Sequence, residues 1–210
     1  MDLFAKCAKA TEFEAELKES GHYFFFRKIE GGQDSEVVVD GKRVIMIGSN
    51  NYLGLTNHPR VKEAAIKAIE KFGTGCAGSR FLNGNLEIHE ALEKKLAKFF
   101  RKEAALVFAT GYQTNLGVIS ALVDRNDVAI IDRFDHASIF DGCRLSYGKV
   151  HKFCHNDMDA LEKMLKVTKG KGQLIIVDGI FSMEGDIVDL PNIVKLAKIY
   201  GAKIMVDDAH

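Results

Sequence analysis

Residues 128–153, VAIIDRFDHASIFDGCRLSYGKVHKF, decide the fold. The stretch opens on the apolar run Val128 to Ile131, crosses a polar turn, continues through a helix-length segment and reaches a second strand candidate at Val150 to Phe153. The same alternation extends in both directions. Ala105 to Phe108 precedes it, and Leu174 to Val177 and Lys203 to Val206 follow it, with helical stretches between. Short apolar strands separated by helices predict an α/β fold with a mostly parallel central sheet covered by helices on both faces and joined by right-handed crossovers. Ligands of such sheets gather beyond the carboxyl ends of the strands, so the residues just after each strand carry the functional reading.

Upstream of the sheet the pattern changes. Leu3, Cys7, Ala10, Phe13 and Leu17 recur at helical spacing and predict an amphipathic helix over 3–20, closed by Gly21. Glu36 to Val39 and Arg43 to Ile47 flank Asp40-Gly41, a strong local hairpin signal. A second helix starts at Pro59 and runs to Phe72, with Val61, Ala64, Ala65, Ala68 and Ile69 on one face, and a third spans about Leu86 to Phe100. Between them lies GTGCAGSRFLNGN, residues 73–85, whose glycines at 73, 75, 78 and 84 permit tight turns and close backbone approach and mark the loop as functional.

Composition excludes several function classes. Lys plus Arg and Asp plus Glu both number 29, so there is no single-sign field to hold a nucleic-acid backbone. No apolar run approaches the roughly 20 residues that cross a bilayer. Residues 1–20 form a charged amphipathic stretch unlike a signal peptide, which points to the cytoplasm. Cys7, Cys76, Cys143 and Cys154 are scattered and no HExxH pattern occurs, so neither a disulfide framework nor a metal site is expected.

The strand ends hold the candidates for chemistry. After Phe108 comes ATGYQTN, where the turn at Gly111 and the first amides of the following helix suit a phosphate; the plainer reading is that Thr110 caps that helix. After Ile131 comes DRFDHAS, where the His136 imidazole is placed to stack on a planar group, or else is a surface residue, with Asp135 an N-cap. After Val177 comes DGIFSMEGD, a polar turn in which Glu184 and Asp186 can equally be solvated. Ile204 to Val206 runs into Asp207, a carboxylate whose burial is costly unless it is paired, which calls for a cationic partner. A phosphate cup, a stacking histidine and an acid for a protonated ring nitrogen are together the requirements of pyridoxal phosphate.

At this point the chain resembles the α-oxoamine synthases, pyridoxal phosphate (PLP) enzymes of the fold type I, aspartate aminotransferase-like superfamily. The matching segments are SNNYLGLTNHP, GTGCAGSRFLNGNLEIHEALE, ATGYQTN, DHASIFDGCRLS, HND, FSMEGD and VDDAH, in the family's order and spacing. GSRFLNGNLEIH and the region around DHASIFDGCRLSYG are most like the family's bacterial serine palmitoyltransferase branch. The resemblance implies that His136 stacks on the cofactor ring and contacts the amino-acid carboxylate, that Asp207 faces the ring nitrogen, and that His210 lies near the phenolic oxygen. It implies phosphate contacts from Gly111 and Tyr112 and a cofactor contact from Ser182. Asn50 would face the acyl-CoA, Ser79 and Arg80 would border the site near a subunit interface, and Arg27 would correspond to a substrate-binding arginine.

The implied reaction joins L-serine to a long-chain acyl-CoA by decarboxylating Claisen condensation, in a homodimer whose contact with a membrane, if any, is peripheral. Other members of the family, amino-oxononanoate synthase and aminoketobutyrate ligase, are the alternatives within the class. The implied organisation is an N-terminal helix and β arm over 1–48 and, over 49–210, the first part of the PLP-binding domain. The family's Schiff-base lysine matches none of Lys149, Lys152, Lys195, Lys198 or Lys203. The chain read this way is the N-terminal half of a longer enzyme and does not turn over alone; a lysine-less partner subunit is the non-catalytic alternative.

Overall fold

Near-continuous burial along two central β-strands marks the core of the computed structural model, which describes residues 2–210. The chain divides into two compact units, Met1–Asn85 and Leu86–His210.

The first unit holds α1 (Ala5–Glu19), a small antiparallel sheet and α2 (Pro59–Phe72). The helix α1 forms as its spacing predicts, yet no residue on it is buried, and Phe13 is 61% exposed. The sheet has the order β1-β2-β3, from Ile29–Glu30, Glu36–Val39 and Lys42–Ile45. Asp40 and Gly41 both take positive φ, 52° and 73°, the two-residue turn whose twist suits a hairpin. Pro59 opens α2 behind His58, whose Nδ1 accepts from the Arg60 N–H at 3.2 Å, and Gly73 closes it. In the glycine-rich loop the Ser79 carbonyl accepts from the N–H groups of Leu82, Asn83 and Gly84. The close approach anticipated there is real: a Cβ on Gly84 would collide with the Gly78 carbonyl.

The second unit contains α3 (Glu87–Phe100), α4 (Gly111–Leu122), β4 (Asp127–Asp132), α5 (Ala137–Leu145), β5 (Lys149–Phe153), α6 (Met158–Val167), β6 (Gly172–Asp178), α7 (Leu190–Tyr200) and β7 (Lys203–Asp207). The four strands pair in parallel in the order β5-β4-β6-β7. Both faces are covered. Val128, Ile130, Ile175 and Val177 pack with Leu161, Leu165, Ile193 and Ala197 of α6 and α7. Ala129, Ile131 and Ile176, one position out of phase, pack with Ile119 of α4, Val123 just past its end, and Ile139 and Cys143 of α5. A strand buried on both sides has no room for a solvent-facing polar series, which is why β4 and β6 read as continuous apolar runs.

One expected strand is not formed. Ala105 to Phe108 lies outside the sheet, because neither edge strand, β5 or β7, runs beside it to supply a ladder. The Val107 N–H instead donates to Glu93 Oε1 at 2.9 Å. Among the described residues no helix is long and apolar enough to cross a membrane.

Candidate functional site

The order β5-β4-β6-β7 makes the chain leave β4 toward one side for β5 and return on the other side for β6. Loops that diverge in this way open a crevice at the carboxyl ends of the central strands. A cleft of about 190 Å³ lies there, lined by Gly111, Tyr112, His136, Asp178, Ser182 and Asp207 together with Ser138, Ile180, Ala209 and His210. The six residues assigned above to the cofactor therefore share one cleft: Gly111, Tyr112, His136, Ser182, Asp207 and His210.

Each is placed by a local rule. Thr110 caps α4, its hydroxyl accepting from the Gln113 N–H at 3.1 Å, so the plainer reading of that threonine is correct. The first bond of the helix is Thr114 N–H to the Thr110 carbonyl, which leaves the amides of Gly111 and Tyr112 at the open, positive end of the helix. No atom outside its neighbours lies within 4 Å of where a Gly111 Cβ would be, so the approach to those amides is open. The Tyr112 hydroxyl is held by the Asp141 carboxylate, and its ring meets His136 edge to face at 6.4 Å between centroids.

His136 itself is the N-cap of α5: its Nδ1 accepts from the Ser138 N–H at 3.3 Å and lies 2.6 Å from Ser138 Oγ. Asp135 is not the cap that its position suggested. It is 5% exposed and staples two strand ends, accepting from the N–H of Asp132 at 2.9 Å and of Asp178 at 3.0 Å. Burial pushes its carboxyl up to about 9, with the neighbouring Asp178 adding to the effect against the opposing backbone hydrogen bonds. Asp178 returns the connection by accepting from the His136 N–H at 3.1 Å, while its Oδ1 is buried with no hydrogen-bond partner. Burial, then the charge of Asp207, raises the Asp178 carboxyl to about 6.

Asp207 ends β7 half-buried, as a costly carboxylate should when it has partners. The partners are the Asn115 amide, 2.7 Å away, and the Ala209 N–H at 3.1 Å, rather than the cation that the sequence called for. The loop after β6 is anchored by the buried Phe181 and by the Gly179 N–H on the Asp207 carbonyl at 2.8 Å. Asp186 in that loop is more than a solvated turn residue: its Oδ2 is 3.2 Å from His155 Nε2, while His155 Nδ1 is 3.1 Å from the buried Asp132.

The remaining candidates belong to the first unit. Arg27 pairs with Asp40 at 3.1 Å in the hairpin, Asn50 accepts from the Tyr52 hydroxyl at 3.1 Å, Ser79 closes the glycine-loop turn, and Arg80 Nε donates to Asn85 at 2.9 Å. Three residues of the cleft's support were not singled out from sequence. Asn115 sits four positions before the fully buried Ile119, hence on the buried face of α4, where an amide is a signal. Asp178 ends an apolar strand just as Asp207 does. Ser138 gave no signal of its own.

Comparison with known proteins agrees with this architecture. The chain is 59% identical over 196 residues to serine palmitoyltransferase of Sphingobacterium spiritivorum, covering 93% of this chain and 49% of that protein. It is 51% identical over 196 residues to 8-amino-7-oxononanoate synthase of Geobacter sulfurreducens, covering 93% and 50%. A solved serine palmitoyltransferase from S. paucimobilis, with bound PLP–myriocin aldimine, superposes with a TM-score of 0.94 at 38% identity, covering 98% of this chain and 52% of that one. The chain thus spans about half the length of each. The fold is that of the PLP-dependent aminotransferases, and the model of the aminotransferase class I and II family matches residues 42–210. On that match the chain belongs to the aminotransferase class I and II family.

Proposed function

We propose that this chain is the N-terminal part of a PLP-dependent acyltransferase that condenses L-serine with a long-chain acyl-CoA such as palmitoyl-CoA. The observation that carries the reading is the convergence of the Asp207 carboxylate, the His136 ring and the open amino end of α4 on one cleft. These groups fit the cofactor: an anion-binding helix end, a flat ring face and an acid for a protonated ring nitrogen, with the unpaired Asp178 Oδ1 as a further acceptor in the wall. PLP, when bound, supplies an electron sink for the carbanion formed at the amino-acid α carbon.

The chain's own residues divide the remaining work. Amides of Gly111 and Tyr112 hold the phosphate, with Ser182 beside the cofactor. Asp207, fixed by Asn115, keeps a proton on the ring nitrogen, and His210 lies toward the phenolic oxygen. His136 orients the ring and the serine carboxylate. In the whole enzyme, read as a cytoplasmic homodimer, Asn50 faces the acyl-CoA, Arg27 binds substrate, and Ser79 and Arg80 border the site near the subunit interface. In the reaction the serine Cα–carboxylate bond breaks to release carbon dioxide, and the Cα joins the acyl carbonyl carbon. The thioester C–S bond breaks to release CoA, a proton is taken up, and 3-ketosphinganine results, the first product of sphingolipid synthesis.

The greater identity to a serine palmitoyltransferase than to an amino-oxononanoate synthase, 59% against 51%, favours serine as the amino acid. The second value also supports an alternative, an α-oxoamine synthase that takes another amino acid and acyl-CoA. The test is to give the full-length protein PLP and record its visible absorbance before and after L-serine, L-alanine and glycine. Product mass is then read after palmitoyl-CoA or shorter acyl-CoAs. A spectral change with serine and a 3-ketosphinganine product support the reading. A response confined to alanine or glycine replaces it with the alternative, and no PLP absorbance removes both.

A further inference from the structure

His136 and Asp207 are joined through two buried residues, Asn115 and Ser138, and the Ser138 half of that connection has no part in the reaction scheme. Asn115, 4% exposed on α4, directs its Nδ2 at Asp207 Oδ2, 2.7 Å away, and at Ser138 Oγ, 2.9 Å away. Ser138, 1% exposed on α5, places its hydroxyl 2.6 Å from His136 Nδ1 and its backbone N–H 3.3 Å from the same atom.

The direction of every bond follows from what each group can do. A carboxylate only accepts, so the Asn115 atom facing Asp207 must be the amide nitrogen; the flipped amide would set two acceptors against each other. Both of its hydrogens are then committed, one to Asp207 and one to Ser138 Oγ. A backbone N–H only donates, so the Ser138 N–H, at 3.3 Å from His136 Nδ1, favours a lone pair there without alone enforcing it. The Ser138 hydroxyl, having accepted from Asn115, sends its own hydrogen to that lone pair. His136 Nδ1 is therefore an acceptor of two hydrogens, and the ring proton belongs on Nε2, which makes no hydrogen bond to any described residue.

We infer that Asn115 and Ser138 are positioning residues that lock the His136 imidazole as its Nε2–H tautomer, leaving an N–H donor free for an anionic group in the cleft. The opposite tautomer would set a ring hydrogen against the Ser138 N–H, beside a serine that is itself buried. The lock closes only when α4, α5 and β7 are all docked, so it ties the two functional candidates into one assembly. The consequence for substrate deepens the function proposed above and rests on it: an Nε2–H donor recognises the carboxylate of an amino acid. The tautomer itself does not depend on that function.

The test reads the tautomer directly. In histidine-labelled full-length protein without cofactor, two-bond proton–nitrogen NMR correlations at mildly alkaline pH are expected to show His136 as a single Nε2–H species. Ser138→Ala should convert it to a mixture, and Ser138→Thr, which keeps the hydroxyl, should restore it. A wild-type ring protonated on Nδ1, or an unchanged tautomer in folded Ser138→Ala, overturns the inference. If Ser138→Ala proves unfolded by circular dichroism, the wild-type spectrum decides alone. With PLP added, Ser138→Ala should keep PLP affinity within about twofold and weaken L-serine about tenfold, the scale of one impaired hydrogen bond to a charged group. Wild-type protein that shows the tautomer but binds no PLP would sink the proposed function and leave the lock standing.

Discussion

Asn115 and Asp207 stand 92 positions apart in sequence and are joined by a 2.7 Å hydrogen bond. That bond makes the carboxylate's orientation a property of α4 as much as of its own strand. Asn115→Asp would set a second carboxylate against it. The expected result is a loss of stability of about 2 kcal/mol or more at neutral pH, beyond that of Asn115→Ala, with the gap closing below about pH 4 as carboxylates protonate. Urea denaturation of both variants at two pH values checks this.

Asp207→Ala and His136→Ala, in the full-length protein, should each lower kcat/KM for the proposed condensation by on the order of a hundredfold or more. Asp207→Ala should also shift the cofactor's absorbance toward the form with an unprotonated ring nitrogen. Wild-type rates in either variant would remove the roles proposed for these residues.

Asp135 offers a prediction in pH. Its carboxyl is raised to about 9 in the folded chain and lies near 4 when unfolded, so the folded state binds the extra proton between those values. Its contribution is whole below about pH 4 and is lost as pH rises toward 9. Asp135→Asn keeps one strand-end acceptor and loses the other, costing about 1–3 kcal/mol at pH 5. The cost should shrink steadily by pH 8, when denaturation midpoints of variant and wild type are compared. A constant difference across that range would contradict the assignment.

Gly142 of α5 lies close against α4: an added Cβ would be 2.9 Å from the Asn115 carbonyl oxygen and 3.0 Å from Ile119 Cδ1. Gly142→Ala should therefore destabilise by about 1–3 kcal/mol through overpacking. Because Asn115 is the residue pushed, His136 tautomer signals should broaden with it.

Cys76 is exposed in the glycine-rich loop of the first unit. Cys76→Ser is expected to change stability by no more than about 0.5 kcal/mol and to leave PLP binding unchanged. A measurable loss of cofactor would show that the loop serves the site through this side chain.

How far the sequence reveals this molecule depends on how local the cause is. The runs Val128 to Ile131 and Leu174 to Val177 announce strands because both of their faces are covered, and Asp40-Gly41 announces a turn because its two residues tolerate positive φ. Ala105 to Phe108 misleads because a strand is defined by its neighbour, which no local composition contains. His136 and Asp207 were legible from their positions at strand ends and from the family motif. The difference between Asp135 as a helix cap and Asp135 as a strand staple was not, since it depends on where Asp178 arrives from 43 residues away. Ser138 was silent for the same reason: a serine two residues past a histidine acquires meaning only when Asn115 stands behind it.

The place of β6 in the sheet governs when the cleft can come into being. It is a central strand, inserted between β4, which is made before it, and β7, which is made after it. The Asp135 staple to Asp178, the Asp178 bond to His136 and the seating of Gly179 on Asp207 all wait for that insertion. Parallel pairing across such separations is a late event in folding, since long loops must close before any ladder rewards them. A chain caught midway would keep its local helices and have no place for a ligand. Ligand capture during refolding should thus lag behind the recovery of helical signal, timing the arrival of a single strand.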